Sequence, residues 1–408
     1  MGLLAATLFA FGALVPSAAA ESPTDPWYAD LYRLDEVWEQ TQGEGVTVAV
    51  IDSGVDDSVP ELDGQVLQGT DLISSDGAHT DLTGHGTGIA SLIAGTGAGG
   101  GVQGMAPGVD ILPVRVMKND GDWVFDNEGR MAEAIQYAVS EGARIINVSA
   151  GFEEIRTSPD LTDAIAAAAR AGVLIFASSG NEAELGNGSI SPSDRDGVVG
   201  VAAVDRHGEH ADYSTYGPQV ALAAPGNDIP WRCPDTDTEL CPVAEGGTSS
   251  AAALASGAAA LVWSAHPEWT KNQVLRVLME TADGPEGAMR DQEVGFGVVR
   301  PDRVILDGEG DPGDPDTSPL FSSFERHLDP PATPEPTAPE PAQDEDDVEP
   351  GDGTASDEGV VRDGMVLGRS DDGGDGGGLF FGVAAVVLAA GAVTVVAVRR
   401  HGRARRSH

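Results

Sequence analysis

Residues 46–56 read VTVAVIDSGVD, in which six strand-favouring residues lead into an aspartate, a serine and a glycine. Aliphatic and β-branched residues in a short run indicate a buried strand, and the Asp-Ser-Gly that follows indicates a turn. In open parallel sheets, ligands bind beyond the carboxyl ends of the strands. Asp52 directly follows the predicted strand and is therefore a candidate for a functional site.

Strand-like and helix-like segments alternate from this stretch to residue 306. Continuous apolar strands separated by helices predict an α/β fold, with a mainly parallel twisted sheet that helices cover on both faces. Runs rich in Val and Ile predict strands at 46–51, 110–116, 144–148, 173–177 and 198–204. Amphipathic or alanine-rich segments predict helices at 85–94, 128–140, 161–171, 249–265 and 271–281.

Two further stretches combine a reactive side chain with small residues. They are TGHGTGIAS around His85 and GGTSSAAALASG around Ser249, and each opens a predicted helix. A serine hydroxyl becomes an effective nucleophile when a base removes its proton and a third group orients that base. Taken singly, the aspartate and the histidine also fit ordinary turns, and the serine fits a helix N-cap. Together, Asp52, His85 and Ser249 favour a serine hydrolase.

The region from residue 44 to 306 resembles the subtilases, the subtilisin-like serine peptidases. Seven blocks carry the resemblance, in the family's order: VAVIDSGVD, GHGTGIASLIAG, GMAPGVDILPVRVM, INVSAG, SSGNE, AAPG and GGTSSAAALASG. The order of aspartate, histidine and serine is also that of subtilisin. The resemblance implies a subtilisin-like fold and a serine endopeptidase that works through an acyl-enzyme.

The resemblance assigns a role to each candidate residue. Asp52 would orient the histidine and stabilise its charged form, His85 would transfer the proton, and Ser249 would attack the peptide carbonyl. The oxyanion that forms would be bound by the Asn181 side chain and by the backbone N–H of Ser249.

Two short segments are expected to bind the substrate. One would pair with the substrate backbone as an added strand, and the other would form the opposite wall of the S1 pocket, which receives the P1 side chain before the scissile bond. The first consists of Ser149, Ala150 and Gly151, and the second of Ser178, Ser179 and Gly180. Glu182, just beyond the second segment, is a candidate for selecting a basic P1 side chain.

The chain departs from the family pattern in two places. Ala253 stands where the nucleophile block usually has a proline, in a turn of helix away from the reacting atoms. Only residues 21–45 separate the predicted leader from the peptidase domain at 46–307, which is fewer than the ~50 residues of a small domain. We therefore expect a strap in place of a pro-domain, with the aromatic residues of PWYADLYRLDEVWEQ packed against the peptidase domain.

Both ends of the chain predict contact with a membrane. Residues 1–20 fit a signal peptide, but no Lys or Arg precedes its apolar run, so either the start codon lies upstream or the signal is atypical. Residues 379–398 carry no charge and would span about 30 Å as a helix, the thickness of a bilayer's hydrocarbon core. The arginine-rich tail at 399–408 favours the cytoplasmic side, which places the peptidase domain outside the cell.

Composition separates the predicted spacer from the domain. Residues 308–378 are rich in Pro, Asp, Glu and Gly, and such a segment buries too little apolar surface to offset its ordering entropy. We predict a disordered linker there. The whole chain has 66 acidic and 23 basic residues, a formal net charge of −43, which argues against nucleic acid as a partner.

The cysteines and histidines indicate whether the chain could form a disulfide or bind a metal ion. The two cysteines, Cys233 and Cys241, favour a disulfide in an extracellular location, with two reduced thiols as the alternative. The other histidines show no spacing typical of a metal site, and no cofactor or metal is expected. Four aspartates that could contribute to a calcium site are interpreted as surface charge: Asp56, Asp57, Asp76 and Asp81.

The architecture as a whole is similar to that of the mycosins, the membrane-anchored subtilases of type VII secretion systems. The shared features are the leader, the short strap, the proline-rich spacer, the single C-terminal span and the arginine tail. This resemblance implies a secretion membrane complex and its secreted proteins as partners. Two alternatives stay open: an anchored degradative subtilase that works alone, and a scaffold that stabilises a secretion complex while its proteolysis is incidental.

Overall fold

The computed structural model describes residues 26–118, 127–152, 158–232, 240–285, 287 and 289–328. At the centre lies a seven-stranded sheet in the order β2-β3-β1-β4-β5-β6-β7, in which every strand pair is parallel. The strands are β1 (Thr47–Asp52), β2 (Thr70–Asp71), β3 (Asp110–Arg115), β4 (Ile145–Val148), β5 (Leu174–Ser178), β6 (Val198–Val204) and β7 (Val220–Pro225).

Helices and one hairpin complete the described domain. The α-helices are α1 (Trp27–Leu31), α2 (Leu34–Trp38), α3 (His85–Ala94), α4 (Asn127–Ser140), α5 (Pro159–Arg170), α6 (Gly247–Ala265), α7 (Lys271–Glu280), α8 (Pro301–Ile305) and α9 (Ser322–Leu328). Short 3₁₀ turns lie at Pro60–Leu62, Ala98–Gly100 and Ala183–Leu185. β8 (Asn227–Arg232) and β9 (Leu240–Glu245) pair antiparallel as a separate hairpin.

Side chains along β1 alternate between two apolar cores, as the period of two in a strand requires. Val48 and Val50 belong to the core that contains residues of α3, α6 and α7. Ala49 and Ile51 belong to the core that contains residues of α4 and α5. Helices therefore cover both faces of the sheet, which confirms the predicted α/β class.

Helix α6 runs through the larger core, and nearly all its side chains are buried. Alanine and glycine let neighbouring elements approach it closely: a methyl group added at Gly257 would lie 2.6 Å from Cβ of Met105. The helix begins at Gly247, two residues before the predicted start, so Ser249 lies in its first turn.

The segment before β1 packs against the domain through its aromatic residues. Tyr28 and Tyr32 are fully buried, and both belong to the core that contains α6. The Tyr28 hydroxyl donates to the carbonyl of Gln103 at 2.7 Å, and Trp38 Nε1 donates to the carbonyl of Met105 at 3.0 Å. Burial raises the pKa of the Tyr28 hydroxyl well above its ordinary value. These contacts give the predicted strap a large apolar area, and hydrogen bonds satisfy the polar ends of Tyr28 and Trp38.

The chain stays packed against the domain beyond residue 307, where the linker was expected to begin. Leu320 and Phe321 pack on the core that contains α6, and Phe324 packs on the core that contains α5. Lys271, at the start of α7, forms an ion pair with Glu325. These apolar side chains lie among prolines and acidic residues, so the composition of the segment as a whole conceals them.

Several predicted features lie outside the described residues: the signal peptide at 1–20, the linker from 329 to 378, the span at 379–398 and the tail at 399–408. Among the described residues, none of the helices combines the length and the hydrophobicity that a membrane span requires. Cys241 lies on β9, whereas Cys233 falls within the undescribed residues 233–239, so their pairing stays a prediction.

Candidate active site

Asp52 and His85 form a hydrogen-bonded pair at the carboxyl end of β1. The Asp52 carboxylate is fully buried, and its Oδ1 lies 2.8 Å from Nδ1 of His85, whose side chain is 25% exposed. The same oxygen accepts the backbone N–H of Ser53 at 2.7 Å. A carboxylate in this position stabilises the protonated imidazole and holds a proton on Nδ1 of the neutral ring, which makes Nε2 the proton-accepting nitrogen.

A glycine allows helix α3 to bring the histidine this close. A methyl group added at Gly86 would lie 2.1 Å from the carbonyl oxygen of Gly54 and 3.1 Å from Oδ1 of Asp52. Any larger residue there would push the first turn of α3 away from the end of β1. The glycines that flank His85 in the sequence are thus required by close approach as well as by turn geometry.

Asp81 ties the first turn of α3 to the residue after Asp52. Its Oδ1 accepts the Ser53 hydroxyl at 2.9 Å and the Gly84 N–H at 3.0 Å. Its Oδ2 accepts the Thr87 N–H at 2.9 Å, which satisfies one of the free donors at the helix start. The prediction that Asp81 is surface charge was therefore wrong, because a residue four positions before the histidine can fold back onto the helix start.

Ser249 is hydrogen-bonded to the end of β4. Its hydroxyl donates to the carbonyl of Ser149 at 3.1 Å, and the Ser149 hydroxyl donates in return to the carbonyl of Ser249 at 3.1 Å. Ser149 also accepts the side-chain amide of Asn147 at 2.8 Å. The first turn of α6 is thereby fixed to the strand end.

The strand register places the Asp52–His85 pair next to the Ser149–Ser249 pair. Ile51 on β1 is the partner of Val148 on the adjacent β4, so Asp52 and Ser149 each come one residue later at the same sheet edge. Neighbouring strands in a sheet lie about 4.8 Å apart. The fold therefore brings together chain segments that are far apart in sequence.

Asn181 is oriented by the residue before the candidate nucleophile. Its Oδ1 accepts both the backbone N–H of Thr248 at 2.9 Å and the Thr248 hydroxyl at 3.0 Å. With its oxygen so engaged, the amide presents its Nδ2 donors to the start of α6: a methyl group at Gly247 would lie 3.2 Å from Nδ2. An amide fixed in this way can donate to an oxyanion that forms at Ser249.

The two predicted substrate-binding segments start at neighbouring strand ends. Ser149 follows β4 and Ser178 ends β5, and the register pairs Val148 with Ala177. Gly180 has a φ of +110°, and its N–H donates to the Thr248 hydroxyl at 3.2 Å. Both segments therefore lie at the same edge as the candidate serine.

Trp231 is a neighbour of the histidine that the motifs do not include. Its ring lies 6.0 Å from the His85 ring, centroid to centroid, and packs on α3 where a methyl at Gly88 would come within 2.1 Å. The next residue, Arg232, pairs with the fully buried carboxylate of Glu61, with 2.7 Å between Nε and Oε1. In the sequence, the only local sign of this contact is Gly88, a glycine in the interior of α3.

Comparison with known proteins is consistent with this geometry. The model of the subtilase family of peptidases matches residues 43–297. The chain belongs to the subtilase family. A curated relative of this subtilase, the thermostable alkaline protease of Halalkalibacterium halodurans, is 34% identical over 262 residues, which cover 64% of the present chain and 69% of that protein. The protein is thus a subtilase-type serine peptidase.

Solved structures show which members of the family have a similar fold. MycP3, a protease from the type VII (ESX-3) secretion system, superposes with a TM-score of 0.59 and 31% identity, covering 70% of this subtilase and 89% of that chain. A chain in the periplasmic assembly of the ESX-5 inner membrane complex superposes with a TM-score of 0.60 and 29% identity. The superposition covers 73% of this subtilase and 88% of that chain. The subtilase therefore has mycosin proteases among its structural neighbours.

Proposed function

We propose that this subtilase is a membrane-anchored extracellular endopeptidase in which Asp52, His85 and Ser249 form the catalytic triad. The observation that carries the proposal is the 2.8 Å contact between Asp52 and His85 at the end of β1. Support also comes from the adjacent end of β4, where Ser149 accepts the Ser249 hydroxyl. The family match at residues 43–297 supports the same assignment.

In the proposed reaction, the Ser249 hydroxyl oxygen attacks the carbonyl carbon of the scissile peptide bond while its proton passes to Nε2 of His85. Asp52 stabilises the resulting imidazolium. The oxyanion accepts hydrogen bonds from Nδ2 of Asn181 and from the backbone N–H of Ser249. Collapse of this intermediate breaks the C–N bond, and the leaving amine takes the proton from His85. Water then hydrolyses the acyl-enzyme, with His85 as the base again.

We assign substrate binding to the two segments that flank the candidate serine. The first, Ser149, Ala150 and Gly151, would pair with the extended substrate backbone, and the second, Ser178, Ser179 and Gly180, would form the facing wall of the S1 pocket. Support comes from their shared position at the carboxyl edge of β4 and β5, where the hydroxyls of Ser149 and Ser249 each donate to the carbonyl of the other residue.

The decisive test is labelling of the full chain, in detergent, with a fluorophosphonate that reacts with activated serines. Native protein should incorporate one label, and Ser249→Ala should incorporate none while keeping the same thermal unfolding. Ser250→Ala is a matched control one residue away, because that hydroxyl donates to the carbonyl of Gly246, the residue before α6. Native protein that stays unlabelled, or a Ser249→Ala chain that still labels, would contradict the triad.

We further propose that the peptidase processes proteins exported by a type VII secretion membrane complex. The support is its structural similarity to MycP3 and to a chain of the ESX-5 assembly, together with the predicted leader and C-terminal span. In the native host, Ser249→Ala should leave an exported protein uncut. Accessibility labelling of cysteines introduced in the tail at 399–408 and in the domain would test the proposed topology.

The likeness to a chain within an assembled inner membrane complex also favours a scaffolding role as a second candidate. The two roles separate in one experiment that compares a gene deletion, Ser249→Ala and the native gene. Secretion that fails in the deletion but is complete in Ser249→Ala supports the scaffold. Normal secretion in the deletion supports the remaining alternative, an anchored degradative subtilase that works alone.

A further inference from the structure

One apolar side chain lies between the two segments assigned to substrate binding. Ile190 is 8% exposed and comes from the loop between β5 and β6. A methyl group added at Gly151 would lie 2.1 Å from Cγ2 of Ile190, and one added at Gly180 would lie 2.9 Å from its Cδ1. The branched side chain therefore reaches from one segment to the other.

The backbone on the C-terminal side of Ile190 is fixed to Phe152, the residue that follows the first segment. The N–H of Ser191 donates to the carbonyl of Phe152 at 3.0 Å, and the N–H of Phe152 donates to the carbonyl of Ser191 at 3.1 Å. The Ser193 hydroxyl donates to the carbonyl of Ile190 at 2.7 Å. Three hydrogen bonds therefore hold the main chain of Ile190 and Ser191 in place, one on Ile190 and two on Ser191.

We propose that Ile190 is the floor of the S1 pocket and restricts this peptidase to small P1 residues such as Ala, Ser or Gly. The inference rests on the proposed function, which supplies the two walls. Its physical basis is steric, since a P1 side chain longer than a methyl or hydroxymethyl group would occupy the volume of the isoleucine. Well-packed protein interiors do not absorb such an overlap without strain.

Glu182 offers the competing interpretation, a pocket for a basic P1 residue. Its Oε2 already accepts the backbone N–H of Asn181 at 2.7 Å and lies 3.4 Å from the Thr215 hydroxyl. This carboxylate oxygen therefore stabilises the backbone of Asn181, whose side-chain amide is the proposed donor to the oxyanion. Both this carboxylate oxygen and Cδ1 of Ile190 lie next to Gly180. Little space is therefore left for a long P1 side chain to approach the Glu182 carboxylate.

The test uses the full chain and a set of peptides that differ only at P1, carrying Ala, Leu, Phe or Lys. Rates are divided by the concentration of active sites counted with the fluorophosphonate. Native protein should cleave after Ala with a kcat/KM at least about tenfold above that after Leu, Phe or Lys, the size of effect that a closed pocket gives. Ile190→Ala should raise the Leu-to-Ala ratio by at least about tenfold.

Two further variants keep the test decisive. Ile190→Val removes one methylene and should shift the ratio in the same direction by a smaller factor, even if the alanine variant does not fold. Glu182→Gln should leave the ratio of Lys to Ala unchanged. A labelled native chain that prefers Leu, Phe or Lys overturns the inference, as does an Ile190→Val ratio equal to the native one. A chain that neither labels nor cleaves any peptide overturns the proposed function, and the inference with it.

Discussion

The two halves of the candidate active site are held by different kinds of contact. The histidine half, Asp52, Ser53, Asp81 and His85, is a hydrogen-bonded network around two carboxylates. The serine half, Asn181, Gly247, Thr248 and Ser249, has no charged side chain. It depends on a backbone donor, a backbone acceptor and a residue without a Cβ. The comparison indicates that the first half is sensitive to charge and the second to volume.

The largest expected effect tests charge in the histidine half. Asp52→Asn should lower kcat by about 10⁴, the loss known for the same change in a trypsin-like triad, because the amide favours the wrong histidine tautomer. The measurement is kcat on a peptide with Ala at P1. Unfolding temperature, measured in parallel, separates this loss from misfolding, and a kcat within tenfold of the native value would contradict the assigned role.

The next effect tests the amide in the serine half. Asn181→Ala removes the donor assigned to the oxyanion and should lower kcat by about 10²–10³, as for the equivalent donor in subtilisin, with little change in KM. The same change also frees the Thr248 N–H that Asn181 Oδ1 accepts. A rise in KM at constant kcat would instead indicate a role in substrate binding.

A matched pair of glycines separates volume from backbone strain. Gly247 opens α6 with φ +82°, and Gly84 precedes α3 with φ +74°. Alanine at either position costs about 1–2 kcal/mol of left-handed strain, but only at Gly247 does the new methyl meet a neighbour, Nδ2 of Asn181 at 3.2 Å. We expect similar losses of unfolding free energy and a fall in kcat of at least about tenfold for Gly247→Ala alone. Equal kcat values in the two variants would remove volume as the distinguishing factor.

The smallest expected effect comes from a carboxylate near His85 that is not part of the proposed triad. Asp81→Asn removes a negative charge near His85 and leaves at least one backbone donor without its acceptor, so kcat/KM should fall by about tenfold. Because a nearby negative charge favours the protonated imidazole, the acid limb of the pH–rate profile should move to lower pH. Asp57→Asn, on an exposed carboxylate paired with His79, is the matched control and should leave the profile in place. An Asp81→Asn profile that keeps its acid limb would reduce Asp81 to a structural contact.

Secondary structure was predictable where local pattern and burial agree. The strands β1, β3, β4, β5 and β6 lie close to the predicted spans, because each is a continuous apolar run buried on both faces. The short β2, the Ala-rich β7 and the hairpin of β8 and β9 were not predicted as strands. Their residues lack a strong preference, and their conformation depends on pairing with partners distant in the chain.

The sequence alone determined the family and the candidate reactive residues, because Asp52, His85 and Ser249 each lie in a short block whose glycines and small side chains record a local backbone requirement. Only the tertiary structure decided that Asp81 supports α3, that Trp231 lies beside His85 and that Ile190 lies between the two substrate-binding segments. The physical reason is that these contacts join loops and strands through packing and long-range hydrogen bonds. Such contacts depend on the register of the whole sheet, and no periodic pattern in the sequence predicts them.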